Sequence, residues 1–196
     1  DAFRIVLPST ELKCLLPRKW LNDGVINLFM NQICAWSRKE MRKVFCISSL
    51  WLKSTRFAEM NYFRRWSKRN RIKDLTTVHL LLLPVHVEGT HWILSIVDLR
   101  LNRMTMYDSL FADDRRLFTW MARLKEMLDT VFAGVSGWCT ELLPHIPEMV
   151  PQQENYTDCG VFVCAFSALV AAGLSCTMFN KGMVQGTLFN SMWGGR

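Results

Sequence analysis

The chain changes its hydrophobic rhythm twice, and the changes mark off helical from strand-like stretches. From Asn22 to Trp36, the apolar residues Val25, Ile26, Leu28, Phe29 and Ile33 recur at mostly three- and four-residue spacing. That period gathers them on one face of a helix, and Asn22 or Asp23 can cap its first turn. Val44 to Leu52 and Arg56 to Arg69 continue as helical material, the latter burying Phe57, Tyr62, Phe63 and Trp66 on one face.

Beyond residue 78 the period shortens. His79 to Val87 is an apolar run ended by Gly89, Trp92 to Leu99 is rich in β-formers, and Arg103 to Tyr107 alternates. These read as consecutive strands, the last two joined by a hairpin turn at Leu101-Asn102. In an antiparallel pair, His91 enters one strand at the end where Asp108 leaves its neighbour. Asp113 to Val131 returns to the helical period. Thr140 to Pro151, carrying Pro144, Pro147 and Pro151, is an extended edge strand or irregular connection, and Val161 to Ala172 is a buried helix. The order lacks repeated βαβ units and internal repeats, which gives an α+β class with a central mixed sheet flanked by helices.

Length and composition narrow this little. The 196 residues make one ordinary domain, 1–196, and a hydrophobic fraction of 50% argues against disorder. The longest apolar run, Val161 to Leu174, is shorter than the roughly 18–20 residues of a membrane span. Beginning at Asp1 without a signal peptide, the chain reads as a domain cut from a longer protein. Seven cysteines in no regular framework suit a reducing compartment, and the lack of a Cys-x-x-Cys pair argues against a structural metal. The net charge of +7 suits nucleic acid, an acidic membrane or an acidic protein partner without choosing among them. Its densest stretch, Arg64 to Lys73, reads first as the solvated face and following loop of a helix.

The candidate chemistry lies where Gln153-Glu154-Asn155-Tyr156-Thr157-Asp158-Cys159-Gly160 runs into the last helix. The first N–H groups of a helix have no intrahelical acceptors and the macrodipole is positive there, so a thiolate at Cys159 is favoured. A cysteine nucleophile needs an imidazole as base and acid, and the imidazole needs a carboxylate to orient it; His91 and Asp108 supply both. Gln153 offers an amide donor for an oxyanion, with the Cys159 N–H as the second. His79, His86 and His145 lack such context and read as structural or surface residues. Asp158 reads as a helix cap rather than the triad acid, and Trp20 and Trp92 as buried aromatic area.

Pro151-Gln152-Gln153 followed by Asp158-Cys159-Gly160-Val161-Phe162 resembles the nucleophile motif of the Ulp1/SENP family of cysteine proteases, which act on SUMO and related ubiquitin-like proteins. Trp20-Leu21-Asn22-Asp23, Leu83-Pro84-Val85-His86, His91-Trp92 and Tyr107-Asp108-Ser109 extend the likeness in the family's order, from about Trp20 to about Phe166. The resemblance implies a papain-like protease fold, although papain's cysteine precedes its histidine. It further implies cleavage after the C-terminal Gly-Gly of a SUMO-like modifier, at a precursor tail or an isopeptide bond. Cys159, His91, Asp108 and Gln153 are the implied catalytic set. Trp20 and Trp92 would clamp the glycine tail, Asp23 would contact the modifier, and no cofactor, metal or obligate nucleic acid is needed. A monomer inside the cell, in the nucleus or at its periphery, fits that role. Activity on NEDD8 or ubiquitin, acetyl transfer on the same scaffold, and non-catalytic modifier binding remain open alternatives. The likeness departs at Asn155-Tyr156-Thr157, where the family often has Asn-Gly-Ser, and weakens after Ala171.

Overall fold

The strand signals between residues 79 and 107 form the centre of a five-stranded sheet. In this computed structural model, which describes residues 7–40, 43–49, 60–110 and 113–179, the strands lie side by side in chain order. They are β1 (Val44–Cys46), β2 (Leu80–Val87), β3 (His91–Asp98), β4 (Arg103–Tyr107) and β5 (Leu143–His145). β2, β3 and β4 pair antiparallel, whereas β1 joins β2 and β5 joins β4 in parallel, so the sheet is mixed as expected. The helices α1 (Asp23–Lys39), α2 (Met60–Asn70), α3 (Asp114–Val131) and α4 (Cys159–Ala172) complete the α+β order among the described residues.

The unbroken apolar run in β2 has a direct cause: both faces of the strand are covered. Leu81, Leu83, Val85 and Val87 join Ile93 and Val97 of β3 in a core with Leu117, Met121, Leu124 and Leu128 of α3. Leu80 and Leu82, with Trp92, Leu94 and Ile96, face Ile26 and Phe29 of α1 and Phe162, Val163 and Phe166 of α4. Leu81, Leu82 and Leu94 have no exposed surface, and truncating any of them to alanine costs about 2–5 kcal/mol.

Local chemistry sets the helix ends. Asn22, not Asp23, caps α1, its Oδ1 accepting the Val25 N–H at 2.9 Å, and Asp113 does the same for Arg115 in α3 at 3.0 Å. α4 is apolar almost all round because the sheet and α1 enclose it. It stops at Gly173, whose φ of 77° lets the N–H groups of Gly173 and Leu174 close back on Val170 and Leu169. A Cβ on Gly160 would lie 2.9 Å from the Leu21 Cβ, so glycine permits the close approach of α4 to the Trp20-Leu21 segment.

One expectation changes. The helical reading of Val44 to Leu52 is wrong at its start, where Val44–Cys46 pairs in parallel with Leu80–Leu82. Its β-branched and aromatic side chains gain more on a sheet both of whose faces are covered than an isolated helical turn would give. Residues 50–52 and Phe57, with the side chains of Tyr62 and Phe63, lie outside the described residues, as does the chain after Phe179. Trp66 is buried as expected, and its Nε1 donates to the Cys46 carbonyl at 2.9 Å. Arg65, Lys68, Arg69, Arg71 and Lys73 are exposed. No described helix is long and apolar enough to cross a membrane.

Candidate active site

Strand register brings the histidine and the aspartate together. Leu94 of β3 stands opposite Tyr107 of β4, so Asp108 follows on opposite Ile93. His91 is two residues from Ile93 and shares its face, which makes it the diagonal neighbour of Asp108. The side chains meet: His91 Nε2 lies 2.7 Å from Asp108 Oδ1, and both groups are buried. The same oxygen accepts the Leu110 N–H at 2.9 Å, which fixes the carboxylate as the chain leaves the sheet.

With Nε2 committed to Asp108, Nδ1 is the ring nitrogen left for Cys159, which lies near enough to the imidazole to help raise its pKa. Burial disfavours charge on His91, but the hydrogen bonds to Asp108 and Cys159 and the negative charge of both partners outweigh it. The pKa rises from 6.5 to about 9, so the ring is an imidazolium at neutral pH. Cys159 is the first residue of α4, where its backbone N–H has no intrahelical acceptor. Three separate elements, β3, β4 and α4, thus converge on one thiol.

Gln153 reaches the site from an irregular segment laid against the end of β4. Its N–H donates to the Ser109 carbonyl at 2.6 Å, and Gln152 Nε2 donates to the Asp108 carbonyl at 3.1 Å. The Gln153 amide is buried, accepting from Ser109 Oγ at 2.8 Å and donating through Nε2 to the Asn155 carbonyl. An amide nitrogen has two protons, so one donor remains after the Asn155 bond. Asn155 organises the approach to Cys159, its Oδ1 accepting the N–H groups of Thr157 at 2.8 Å and Asp158 at 2.9 Å.

Asp158 departs from its expected role. It occupies the residue before α4, but its backbone is helical (φ −87°, ψ −1°) and its side chain caps no helix N–H. The carboxylate instead accepts from Asn155 Nδ2 at 2.7 Å.

The tryptophans are unlike each other. Trp20 is 49% exposed and its Nε1 donates to the Tyr156 carbonyl at 2.8 Å, linking it to the loop before Cys159. Trp92 is only 3% exposed, stacks on His86 with ring centroids 4.3 Å apart, and donates to the Leu21 carbonyl at 3.1 Å. The Leu21 backbone therefore joins the two rings' surroundings, with Trp20 outside and Trp92 inside. Asp23 Oδ1 accepts from Ser49 Oγ at 3.1 Å in a network with Asn27. Sequence reading gave no role to Ser109 or Asn155, although both lie within the motifs that carry the catalytic residues.

Residues 19–187 match the family described as Ulp1 protease family, C-terminal catalytic domain. A sentrin-specific protease of Caenorhabditis elegans is 28% identical over 172 residues, covering 85% of this chain and 24% of that protein. Ubiquitin-like-specific protease 1 of Saccharomyces cerevisiae is 29% identical over 163 residues, covering 82% of this chain and 25% of that one. A putative ubiquitin-like-specific protease 1B of Arabidopsis thaliana is 28% identical over 91% of this chain and 54% of its own length. The chain thus spans about a quarter to a half of these relatives. Among solved structures, the C-terminal Ulp1 protease domain in complex with Smt3, the yeast ortholog of SUMO, shares the fold with a TM-score of 0.75 at 22% identity, over 98% of this chain and 86% of that one. With the family matched across most of its length and a cysteine, a histidine and an aspartate joined at one end of the sheet, this chain belongs to the Ulp1 protease family as a cysteine protease catalytic domain.

Proposed function

We propose that this domain cleaves after the C-terminal glycine of a SUMO-like modifier, at a precursor tail or at an isopeptide bond to a lysine. The observation that carries the reading is the buried Asp108–His91–Cys159 chain, in which the imidazole holds its proton at neutral pH. The substrate class rests on the family and on relatives named as sentrin- and ubiquitin-like-specific proteases.

Each step uses a group already in position. The Cys159 thiolate attacks the glycine carbonyl, and the oxyanion is held by the Cys159 N–H and the second proton of Gln153 Nε2. The His91 imidazolium gives its proton to the departing amine, leaving a thioester on Cys159. Neutral His91 then takes a proton from water as it attacks the thioester, and the second tetrahedral species collapses to free the thiolate and the modifier's carboxylate. Asp108 orients the ring throughout.

Substrate recognition falls to residues around Trp20. Its exposed ring forms one wall of a passage for an extended glycine tail, and Trp92 supports the floor from beneath. Glycine suits such a passage because it has no Cβ to meet the rings. Asp23 contributes by holding α1 to Ser49, and modifier contact there is part of the same reading. The domain acts as a monomer on conjugates within the cell, in the nucleus or at its periphery.

Incubation with SUMO, NEDD8 and ubiquitin precursors and with their lysine conjugates, followed by gel and mass analysis, tests the proposal. Cleavage of the SUMO substrates at the Gly-Gly terminus, absent in Cys159→Ala, is expected. Cleavage confined to NEDD8 or ubiquitin would overturn the substrate, and acetyl transfer or binding without cleavage would overturn the reaction.

A further inference from the structure

The polarity of the Gln153 amide is fixed by its two partners. The Asn155 carbonyl can only accept, so the side-chain nitrogen must face it and the oxygen must face Ser109. Ser109 Oγ, which could in principle donate or accept, is thereby committed as the donor to Gln153 Oε1. The same serine also receives the Gln153 backbone N–H on its carbonyl, and it is buried at 2% exposure. Both ends of the glutamine are therefore tied to one residue of the strand-end segment.

We propose that Ser109 is a positioning residue for transition-state stabilisation, orienting Gln153 so that its free amide proton points at the developing oxyanion. The proposal rests on the reading of Gln153 as the oxyanion donor. Its consequence is that the adjacent residues Asp108 and Ser109 set two parts of the machinery separately. Asp108 Oδ1 holds the imidazole, and Ser109 Oγ holds the amide. A single turn at the end of β4 thus registers the proton-transfer group against the oxyanion donor.

Removing the hydroxyl leaves a buried amide oxygen with no donor, and that oxygen regains a partner only by turning the amide away. The loss is smaller than deletion of the donor, because Asn155 still holds the nitrogen. Deleting an oxyanion donor costs roughly 10²–10³-fold in turnover. Ser109→Ala is therefore expected to lower kcat by roughly tenfold, with KM little changed.

The test uses the 196-residue domain and a SUMO carrying a fluorogenic amide at its terminal glycine, for wild type, Ser109→Ala, Ser109→Thr, Gln153→Ala and the double alanine variant. Alkylation of Cys159 by iodoacetamide is followed in parallel; it displaces iodide without forming an oxyanion and so reads only the thiolate and His91. Support is a lower kcat in Ser109→Ala with wild-type alkylation, recovery in Ser109→Thr, and no further loss when Ser109→Ala is added to Gln153→Ala. Wild-type turnover in Ser109→Ala alongside a slow Gln153→Ala overturns the role of Ser109. Wild-type turnover in Gln153→Ala overturns instead the reading of Gln153. If Ser109→Ala loses alkylation as well, the serine is structural and the proposal fails; should that variant not fold, an inactive but normally alkylated Ser109→Val decides in its favour and a fully active one against it.

Discussion

The groups proposed to react and those proposed to face the substrate are built in opposite ways. His91, Asp108 and Cys159 sit at the ends of β3, β4 and α4, elements buried on the sheet, and their meeting follows from strand register and helix packing. Trp20 and Gln153 to Asp158 lie on irregular backbone held by side-chain hydrogen bonds, from Asn155 to the N–H groups of Thr157 and Asp158 and from Trp20 to Tyr156. The first arrangement resists displacement because moving it would unpack a core. The second can be altered at a few hydrogen bonds without unfolding, which makes it the region where substrate choice is most easily changed.

If that contrast holds, substitutions in the two regions should differ in kind. Cys159→Ala removes the nucleophile itself and should drop turnover to background, on the order of 10⁶-fold, with the fold retained by circular dichroism. Asp108→Asn should follow at roughly 10⁴-fold, because the imidazole loses both its orientation and the charge that favours its protonation. The same change should lower the His91 pKa, observable by NMR titration of the ring, since Asp108 is one of the groups that raise it. Gln153→Ala should lose roughly 10²–10³-fold in kcat and leave the His91 titration unmoved.

The tryptophans offer a sharper comparison within one motif set. Trp92→Ala should destabilise the domain by about 3–5 kcal/mol in chemical denaturation, as for any large buried aromatic. Trp20→Ala should leave stability near wild type and raise KM for modifier substrates about tenfold, in keeping with a loss of about 1.4 kcal/mol in binding. Equal stability losses in both would erase the distinction between buried frame and exposed wall.

The smallest effect is on pH dependence. His91 is more basic in the folded protein, about 9, than its ordinary 6.5, so the folded state binds the proton more tightly. Its contribution to stability is complete below about pH 6.5 and declines as pH rises, disappearing above about pH 9. kcat/KM should fall over the same basic limb as the imidazolium is lost. A limb near pH 6.5 instead would show that His91 is not held as an ion pair.

Much of the rigid half could be read from residue pattern alone. The strands around His91 and Asp108 were visible because apolar runs and a turn at Leu101-Asn102 set their ends, and α4 because its sequence is apolar all round. β1 was missed, since three residues cannot display a period and its pairing with Leu80–Leu82 is a long-range fact. Asp158 does not make the cap that its position suggests, because a neighbouring side chain, Asn155, takes the carboxylate. Gln153 is suggested by its amide and its place before Cys159, whereas the role of Trp20 enters only through a resemblance of motifs, and the bond that orients the Gln153 amide comes from Ser109, 44 residues away in sequence. Hydrogen bonds between irregular segments leave no periodic signal, which is why the adaptable half was the less legible one.

In the proposed reaction Cys159, activated by His91, attacks at the terminal glycine of a SUMO-like modifier. The most direct measurement is intact mass after mixing wild type and Cys159→Ala with SUMO, NEDD8 and ubiquitin bearing a C-terminal vinyl-sulfone-type electrophile. One stoichiometric adduct with SUMO is expected on the wild-type domain and none on the variant. A folded wild-type domain that forms no adduct, or one whose adduct survives Cys159→Ala, would contradict it.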